Sequence, residues 1–191
     1  RSCLVGSEMC IRDRYFEAND GVSGTEPWKF DGTTASQVAD ILPGGDSSYA
    51  SGFQAADGLL FFEANDNVHG EEMWQFDGTT LSMVADSNPG SSGSAPDNQT
   101  AWRNAVWLDS DGIVGDKVYD DSLFYLDSTG LHFFKSFSNR TDDADLDDIV
   151  MFNGALYFRA DDGVSGDELW KFDGTTMSQV ADILSLSQIR I

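Results

Sequence analysis

Residues 155–183 read ALYFRADDGVSGDELWKFDGTTMSQVADI, and earlier parts of the chain repeat this stretch. Two aspartates mark each copy, since Asp162 opens a glycine loop and Asp173 follows an aromatic strand. The first mark recurs at steps of 46, 45 and 51 residues, and the second at steps of 46, 50 and 46. Because a period near 46 residues is typical of four-stranded propeller repeats, the spacing predicts an all-β, propeller-like array of four-stranded blades.

About four copies are visible, and we interpret them as one continuous repeat domain over residues 15–184. The connectors are rich in Gly, Ser, Pro and Asn, and the period continues through them, as expected for loops within a domain. The third copy carries a five-residue insertion near residues 117–122, and the first copy lacks its leading strand. We expect a fragment of a larger propeller with about six to eight blades. The approximate copies are residues 15–50, 51–98, 99–146 and 147–184.

The last copy predicts four strands, at residues 149–152, 155–160, 168–172 and 178–183. Asn153-Gly154 joins the first two, and this kind of dipeptide is the strongest short hairpin signal. The second copy has Asp57-Gly58 at the same place. A glycine loop is predicted in every copy, including DGIVG at residues 111–115, with a left-handed residue after its aspartate.

Both ends of the chain depart from the repeat. Residues 1–14 read RSCLVGSEMCIRDR and resemble read-through from a sequencing adapter, so we exclude them as non-native. Residues 185–191 are interpreted as a non-native or truncated end. Because both cysteines, Cys3 and Cys10, lie in the excluded segment, they predict nothing about disulfides.

The charge of the chain limits its partners. It has 33 acidic residues against 11 lysines and arginines, a formal net charge of -22. Nucleic acid and anionic membrane surfaces both require a basic footprint, so neither is expected as a partner. No apolar run approaches the roughly 18 residues of a membrane span, and we predict no membrane insertion. The sequence leaves the oligomeric state open.

Several residue types recur at fixed positions, and we interpret them as structural. A large ring in the third strand of each copy favours core packing between sheets over a stacking platform for sugars. A second glycine in each loop indicates a tight turn, and Asp-Gly-Thr after the aromatic strand indicates a hairpin turn. These positions are the rings Trp28, Trp74, Phe124 and Trp170, the glycines Gly24, Gly70, Gly115 and Gly166, and the aspartates Asp31, Asp77, Asp127 and Asp173.

The third copy contains the candidate sites, because it departs most from the repeat. Asp109, Asp111 and Asp116 form an oxygen-rich loop that suits calcium, and a solvated turn is the alternative. Trp102 and Trp107 are candidate ligand contacts, with altered packing as the alternative. No catalytic residue is predicted, because the repeated acids form four equivalent sets and no nucleophile motif accompanies the residues that break the repeat. Those residues are Trp102, Arg103, Trp107, Lys117, His132 and Lys135.

Residues 168–175, ELWKFDGT, resemble the bacterial ELWxxDGT repeat of hyalin-like proteins. The resemblance extends over nearly all of residues 15–184, although the first two copies begin with EPW and EMW and the third is strongly degenerate. It implies a propeller-like architecture in a secreted or cell-surface protein, and it brings no catalytic residues.

From these observations we expect a non-catalytic extracellular repeat scaffold for adhesion or ligand recognition at the cell surface. Its expected partner is a glycan or a surface protein. One alternative is a calcium-stabilised component of a surface layer. A second alternative is an accessory propeller of a secreted carbohydrate-active hydrolase or lyase.

Overall fold

The computed structural model describes residues 13–114, 117–137, 146–164 and 166–181. These residues form strands β1 to β15, arranged in four antiparallel sheets of three or four strands, with no helix in the described part. The predicted all-β class and the repeated sheets are therefore confirmed, while closure into a propeller stays a prediction. The described ranges also lack any helix long and apolar enough to cross a membrane.

The strands follow the chain in simple up-and-down order within each sheet. The first sheet has β1 (Arg14–Asn19), β2 (Thr25–Phe30) and β3 (Ala35–Gln37). The second has β4 (Ser51–Ala56), β5 (Leu59–Asn65), β6 (Glu71–Phe76) and β7 (Leu81–Met83). The third has β8 (Asp97–Trp102), β9 (Ala105–Val114), β10 (Lys117–Asp127) and β11 (Gly130–Lys135). The fourth has β12 (Asp147–Phe152), β13 (Ala155–Asp161), β14 (Asp167–Phe172) and β15 (Met177–Ala181).

The chain divides into two compact units, Arg1–Ala95 and Pro96–Ile191. The first unit contains the first two sheets, and the second unit contains the last two. Within the described residues the first sheet has three strands, whereas each of the other three has four. The interpretation of all four copies as one domain stays a prediction.

Two-residue turns join the first two strands of each four-stranded sheet. Asp57 and Gly58 have φ angles of 50° and 80°, and Asn153 and Gly154 have 49° and 79°. Positive φ at both positions defines the turn whose twist matches paired strands, which confirms these two predicted hairpins. In the third sheet the same turn is formed by Arg103 (51°) and Asn104 (55°), which carry no glycine to signal it.

Each sheet has two faces, and we call the one that carries Trp28, Trp74, Phe124 or Trp170 its ring face. In the first unit, Leu60, Phe62 and Phe76 on the ring face of the second sheet are buried. Tyr15, from the opposite face of the first sheet, packs against this cluster. In the second unit, the ring face of the fourth sheet packs in the same way against Trp107 of the third. The core of each unit therefore lies between two stacked sheets.

The third copy corrects the predicted loop at residues 111–115. Residues 111–114 belong to β9, where Gly112 pairs with Tyr119 and Val114 pairs with Lys117. The five inserted residues therefore lengthen the hairpin, and the prediction of a left-handed Gly112 in a tight loop is wrong. A register shift between Tyr119 and Ser122 absorbs the mismatch.

Candidate functional site

The glycine loops are built around aspartate side chains. Asp20 Oδ1 accepts hydrogen bonds from the backbone N–H groups of Val22 and Ser23, both at 2.8 Å. Hydrogen bonds from these two amides hold the pKa of Asp20 below its ordinary value. Asp66 and Asp162 accept the equivalent bonds from Val68 and Val164. The repeated loop acid thus has a local structural use in three copies.

A valine is held at the tip of the same three loops. The side chains of Val22, Val68 and Val164 are 76%, 65% and 88% exposed. Strands on both sides and the aspartate bonds fix the position of each tip. Each of these three copies therefore presents one apolar group at an equivalent place on its sheet.

The second glycine of the loop lies against the connector that follows the sheet. A Cβ atom at Gly24 would overlap the backbone carbonyl of Asp46, and one at Gly70 would overlap the backbone of Gly93. Both glycines also have positive φ, at 74° and 81°. Close approach therefore explains why no larger residue occupies this position. Gly166 also has positive φ, at 77°, and Gly115 lies outside the described residues.

A buried glutamate, which the sequence reasoning did not single out, joins each of these connectors to its sheet. Glu26 accepts hydrogen bonds from the Ser48 hydroxyl (2.7 Å), the Ser48 N–H (3.2 Å) and the Ile41 N–H (3.0 Å). Glu72 repeats this with the Ser94 hydroxyl (2.6 Å) and the Ser87 N–H (3.4 Å). The carboxylates bind loop groups inside the protein, where an unpaired charge would be costly.

The glutamate is two residues before the large ring in three of the four copies. Glu168 is the third member and is also buried, while Ser122 takes this position in the third sheet. Burial is the main influence on Glu72 and raises its pKa. The signal available in the sequence was a charged residue fixed in an apolar strand, with a serine 22 residues later in the first two copies.

The aspartates of the Asp-Gly-Thr segments lie in tight turns, as predicted. Asp31 Oδ1 accepts from the N–H groups of Thr33 and Thr34, both at 2.8 Å. The bond from Thr34 contributes most to a lowered pKa of Asp31. Asp77 and Asp173 form the same pair of bonds, and Asp127, which is followed by Ser-Thr-Gly in place of Gly-Thr, accepts a bond from the Thr129 N–H.

The repeated rings lie within or beside the cores. Phe124 is buried, and Trp74 and Trp170 are half-buried and pack against the core clusters of their units. Their indole N–H groups donate to the carbonyls of Ala64 (3.1 Å) and Ala160 (3.2 Å). Trp28 is also half-buried. These contacts favour the packing interpretation over sugar stacking.

The two tryptophans of the third copy meet in an aromatic cluster. Trp102 and Trp107 lie 5.8 Å apart, and each packs on Phe172, at 5.6 and 5.4 Å. Phe134 and Tyr125 complete the contacts of Trp107. Both tryptophans are buried, which favours packing as their role. Ligand contact by these residues stays a prediction.

The three acids proposed for calcium fall in different settings. Asp109 is buried and Asp111 is half-buried, and both belong to β9. Asp116 lies outside the described residues, so the complete set stays a prediction. Elsewhere in the described ranges, no three acidic, histidine or cysteine side chains are grouped closely enough to hold a metal ion.

The pairing of the strands shows which residues occupy the position of Asp109 in the other copies. Asp109 pairs with Leu123, as Glu63 pairs with Met73 and Arg159 with Leu169. Its counterparts are therefore charged residues. An alignment of the copies on their loop aspartates matches Asp109 with Ala18, Ala64 and Ala160, and the strand pairing shows that this alignment is displaced by one residue. The error arises because the third copy has no equivalent glycine loop at Asp111.

The remaining repeat-breaking residues are spread over the second unit. His132 Nε2 lies 2.8 Å from the Thr129 hydroxyl and 3.1 Å from Asp127, and its ring stacks on Tyr125 at 4.7 Å. A catalytic relay needs the acid and the nucleophile on different ring nitrogens, and here both contact the same one. The other histidine, His69, lies in the first unit and contacts Asp66 within its loop (2.7 Å).

Arg103 and Lys135 form local contacts. Arg103 donates to the carbonyl of Asp173 (2.9 Å) and lies 4.6 Å from the centre of the Trp102 ring. Lys135 lies 5.1 Å from the centre of the Phe137 ring. Lys117 begins β10. Arg103 therefore lies against the aromatic cluster through Trp102, and His132 lies beside it through Tyr125, while Lys135 contacts Phe137.

No family model matches the chain, and no curated protein matches it at a significant level. The resemblance to the ELWxxDGT repeat accordingly stays a prediction carried by the motif at residues 168–175. In the second copy the structure gives a reason for the glutamate, because Glu72 accepts a hydrogen bond from Ser94 in the connector, and in the fourth copy it gives one for the aspartate, because Asp173 accepts a hydrogen bond from Thr176 in the turn.

Proposed function

We propose that the chain is a non-catalytic repeat scaffold, displayed outside the cell, that recognises a surface glycan or protein. The observation that carries this proposal is the exposed valine at the tip of the glycine loop in three copies. A fixed apolar group presented at equivalent places is suited to a repeated contact, because little conformational entropy is lost when it binds.

The chemistry beside the valines supports binding and not turnover. The loop acids accept bonds from backbone amides, and the buried glutamates accept bonds from the connectors. These groups hold the loops in place. The surface offered to a partner is therefore made of loop tips on a rigid sheet, which is the usual arrangement of a recognition module.

The test compares binding by the wild-type chain with binding by a variant that combines Val22→Ser, Val68→Ser and Val164→Ser. Glycan arrays and a panel of surface proteins are probed with and without calcium. We expect binding by the wild type and a loss of about tenfold or more in the triple variant, the effect of about 1.4 kcal/mol. Val180→Ser, at an exposed strand position, is the matched control. An absence of binding by the wild type both with and without calcium, or equal binding by the triple variant, would contradict the proposal.

A further inference from the structure

The fourth sheet has an exposed apolar surface on the face opposite its ring face. Leu169, Val150 and Phe152 are 38%, 52% and 61% exposed. Val150 pairs with Tyr157 and Leu169 pairs with Arg159, two residues further along β13, so these side chains share one face. We call this surface the outer face of the fourth sheet. Apolar groups gathered on one face are typical of an interaction surface.

The positions equivalent to Leu169 and Tyr157 are buried in the second and third sheets. Strand pairing aligns Leu169 with Met73 and Leu123, which are 3% and 0% exposed. It also aligns Tyr157 with Phe61 and Trp107, and both of these rings are buried. At these two positions the fourth sheet has apolar or aromatic side chains, as the other sheets do, but they are more exposed.

Both units show what normally packs on this face. Tyr15 of the first sheet contacts Phe76 of the second, with ring centres 6.4 Å apart. Trp107 of the third sheet contacts Phe172 of the fourth at 5.4 Å. In each case an aromatic residue on the earlier sheet, on the face opposite its ring face, contacts a phenylalanine on the ring face of the later sheet. Tyr157 is the equivalent of Tyr15 and Trp107.

The first sheet has a matching surface. Phe30 occupies the position of Phe76 and Phe172, two residues after the large ring, and it is half-buried. Phe16 on the same ring face is 36% exposed, whereas its equivalent Phe62 is fully buried. The ring face of the first sheet therefore carries Phe30 at the position that would contact Tyr157 on the outer face of the fourth sheet.

We propose that the outer face of the fourth sheet binds the ring face of the first sheet of a second copy of this chain. The contact joins two different surfaces, so it can repeat head to tail and build rings or filaments. Each copy has a formal net charge of -22, and salt screens the repulsion between like-charged copies. Association is therefore stronger at high salt than at low salt. This inference does not depend on the proposed function.

The first test is sedimentation velocity over a protein concentration series in low and high salt. The wild type forms species larger than a monomer as concentration and salt increase. Leu169→Glu places a charge in the contact and weakens association about tenfold or more. Phe152→Glu is a second variant of the same face, and circular dichroism with thermal melting checks that each variant is folded. Tyr49→Glu, at an exposed connector position outside both faces, associates like the wild type.

The second test uses the two faces separately. Phe16→Glu blocks the ring face of the first sheet and leaves the outer face of the fourth sheet intact, whereas Leu169→Glu does the reverse. Each variant alone stays monomeric at concentrations where the wild type associates, and an equimolar mixture forms a dimer and nothing larger, because the pair retains one intact contact. A monomeric wild type in all conditions, undiminished association of Leu169→Glu, or a mixture that stays monomeric would each overturn the proposal.

Discussion

The Ser94 hydroxyl donates a 2.6 Å hydrogen bond to the buried carboxylate of Glu72, and Ser48 does the same to Glu26 at 2.7 Å. The two pairs are 46 residues apart, one full period of the repeat. In both, the serine lies in the connector and the glutamate in the sheet. The bond therefore fixes the path by which the chain leaves each sheet.

Replacing Ser94 with alanine is expected to destabilise the protein by about 1.5–3 kcal/mol, because a buried carboxylate loses its hydroxyl partner. The midpoint of urea unfolding measures the change. Ser91→Ala, in an exposed part of the same connector, is the control and should leave the midpoint unchanged. Equal stability of the two variants would show that the bond does not hold the connector.

Replacing Gly70 with alanine should destabilise more than replacing Gly78 with alanine. Both residues have positive φ, at 81° and 95°, so both variants carry the strain of a left-handed alanine, about 1–2 kcal/mol. Only at Gly70 would the new Cβ overlap a neighbouring backbone, that of Gly93. The difference between the two unfolding free energies measures the cost of the overlap with Gly93. Equal unfolding free energies would contradict the close approach at Gly70.

Replacing Glu72 with glutamine should change how stability depends on pH. Burial raises the pKa of Glu72, so the folded state binds this proton more tightly than the unfolded state. The contribution of Glu72 to the free energy of unfolding is fully present below the ordinary pKa of a glutamate. It is lost as pH rises through the pKa of Glu72 in the folded state. Across acidic and neutral pH, the melting temperature of the glutamine variant should therefore rise relative to that of the wild type as pH increases through that window. Glu71→Gln, at an exposed neighbouring position, is the matched control.

Replacing Trp107 with alanine is expected to cost about 3–5 kcal/mol, the usual loss for a buried aromatic residue. Its contact with Phe172 joins the third and fourth sheets of the second unit. Chemical denaturation monitored by circular dichroism gives the value. Tyr49→Ala removes an exposed ring instead and should cost much less. A small effect at Trp107 would favour the ligand-contact alternative.

Addition of millimolar calcium is expected to leave the melting temperature unchanged, with magnesium as the matched control. The loop and turn aspartates already accept backbone hydrogen bonds, as at Asp20 and Asp31. A rise specific to calcium would instead support a site at Asp109, Asp111 and Asp116, because a ligand that binds the folded state stabilises it. Asp111→Asn should then abolish the rise.

Sequence reasoning was reliable where a local rule decided the structure. Asp57-Gly58 and Asn153-Gly154 form the predicted hairpins because positive φ is cheap for these residues. It was wrong for residues 111–114, where a motif resembling the loop continues a strand. There the inserted residues supply new pairing partners, and extending the ladder satisfies more backbone groups than a tight loop.

The sequence by itself determined the all-β class, the period near 46 residues and the turns, because each depends on spacing and on residues close along the chain. Only the tertiary structure showed that Glu72 is buried and that it receives Ser94, 22 residues away. It also decided that Trp107 is covered by the next sheet while the outer face around Leu169 is exposed. Burial depends on what packs against a residue, and a repeat gives equivalent residues the same pattern whether or not a neighbouring sheet covers them.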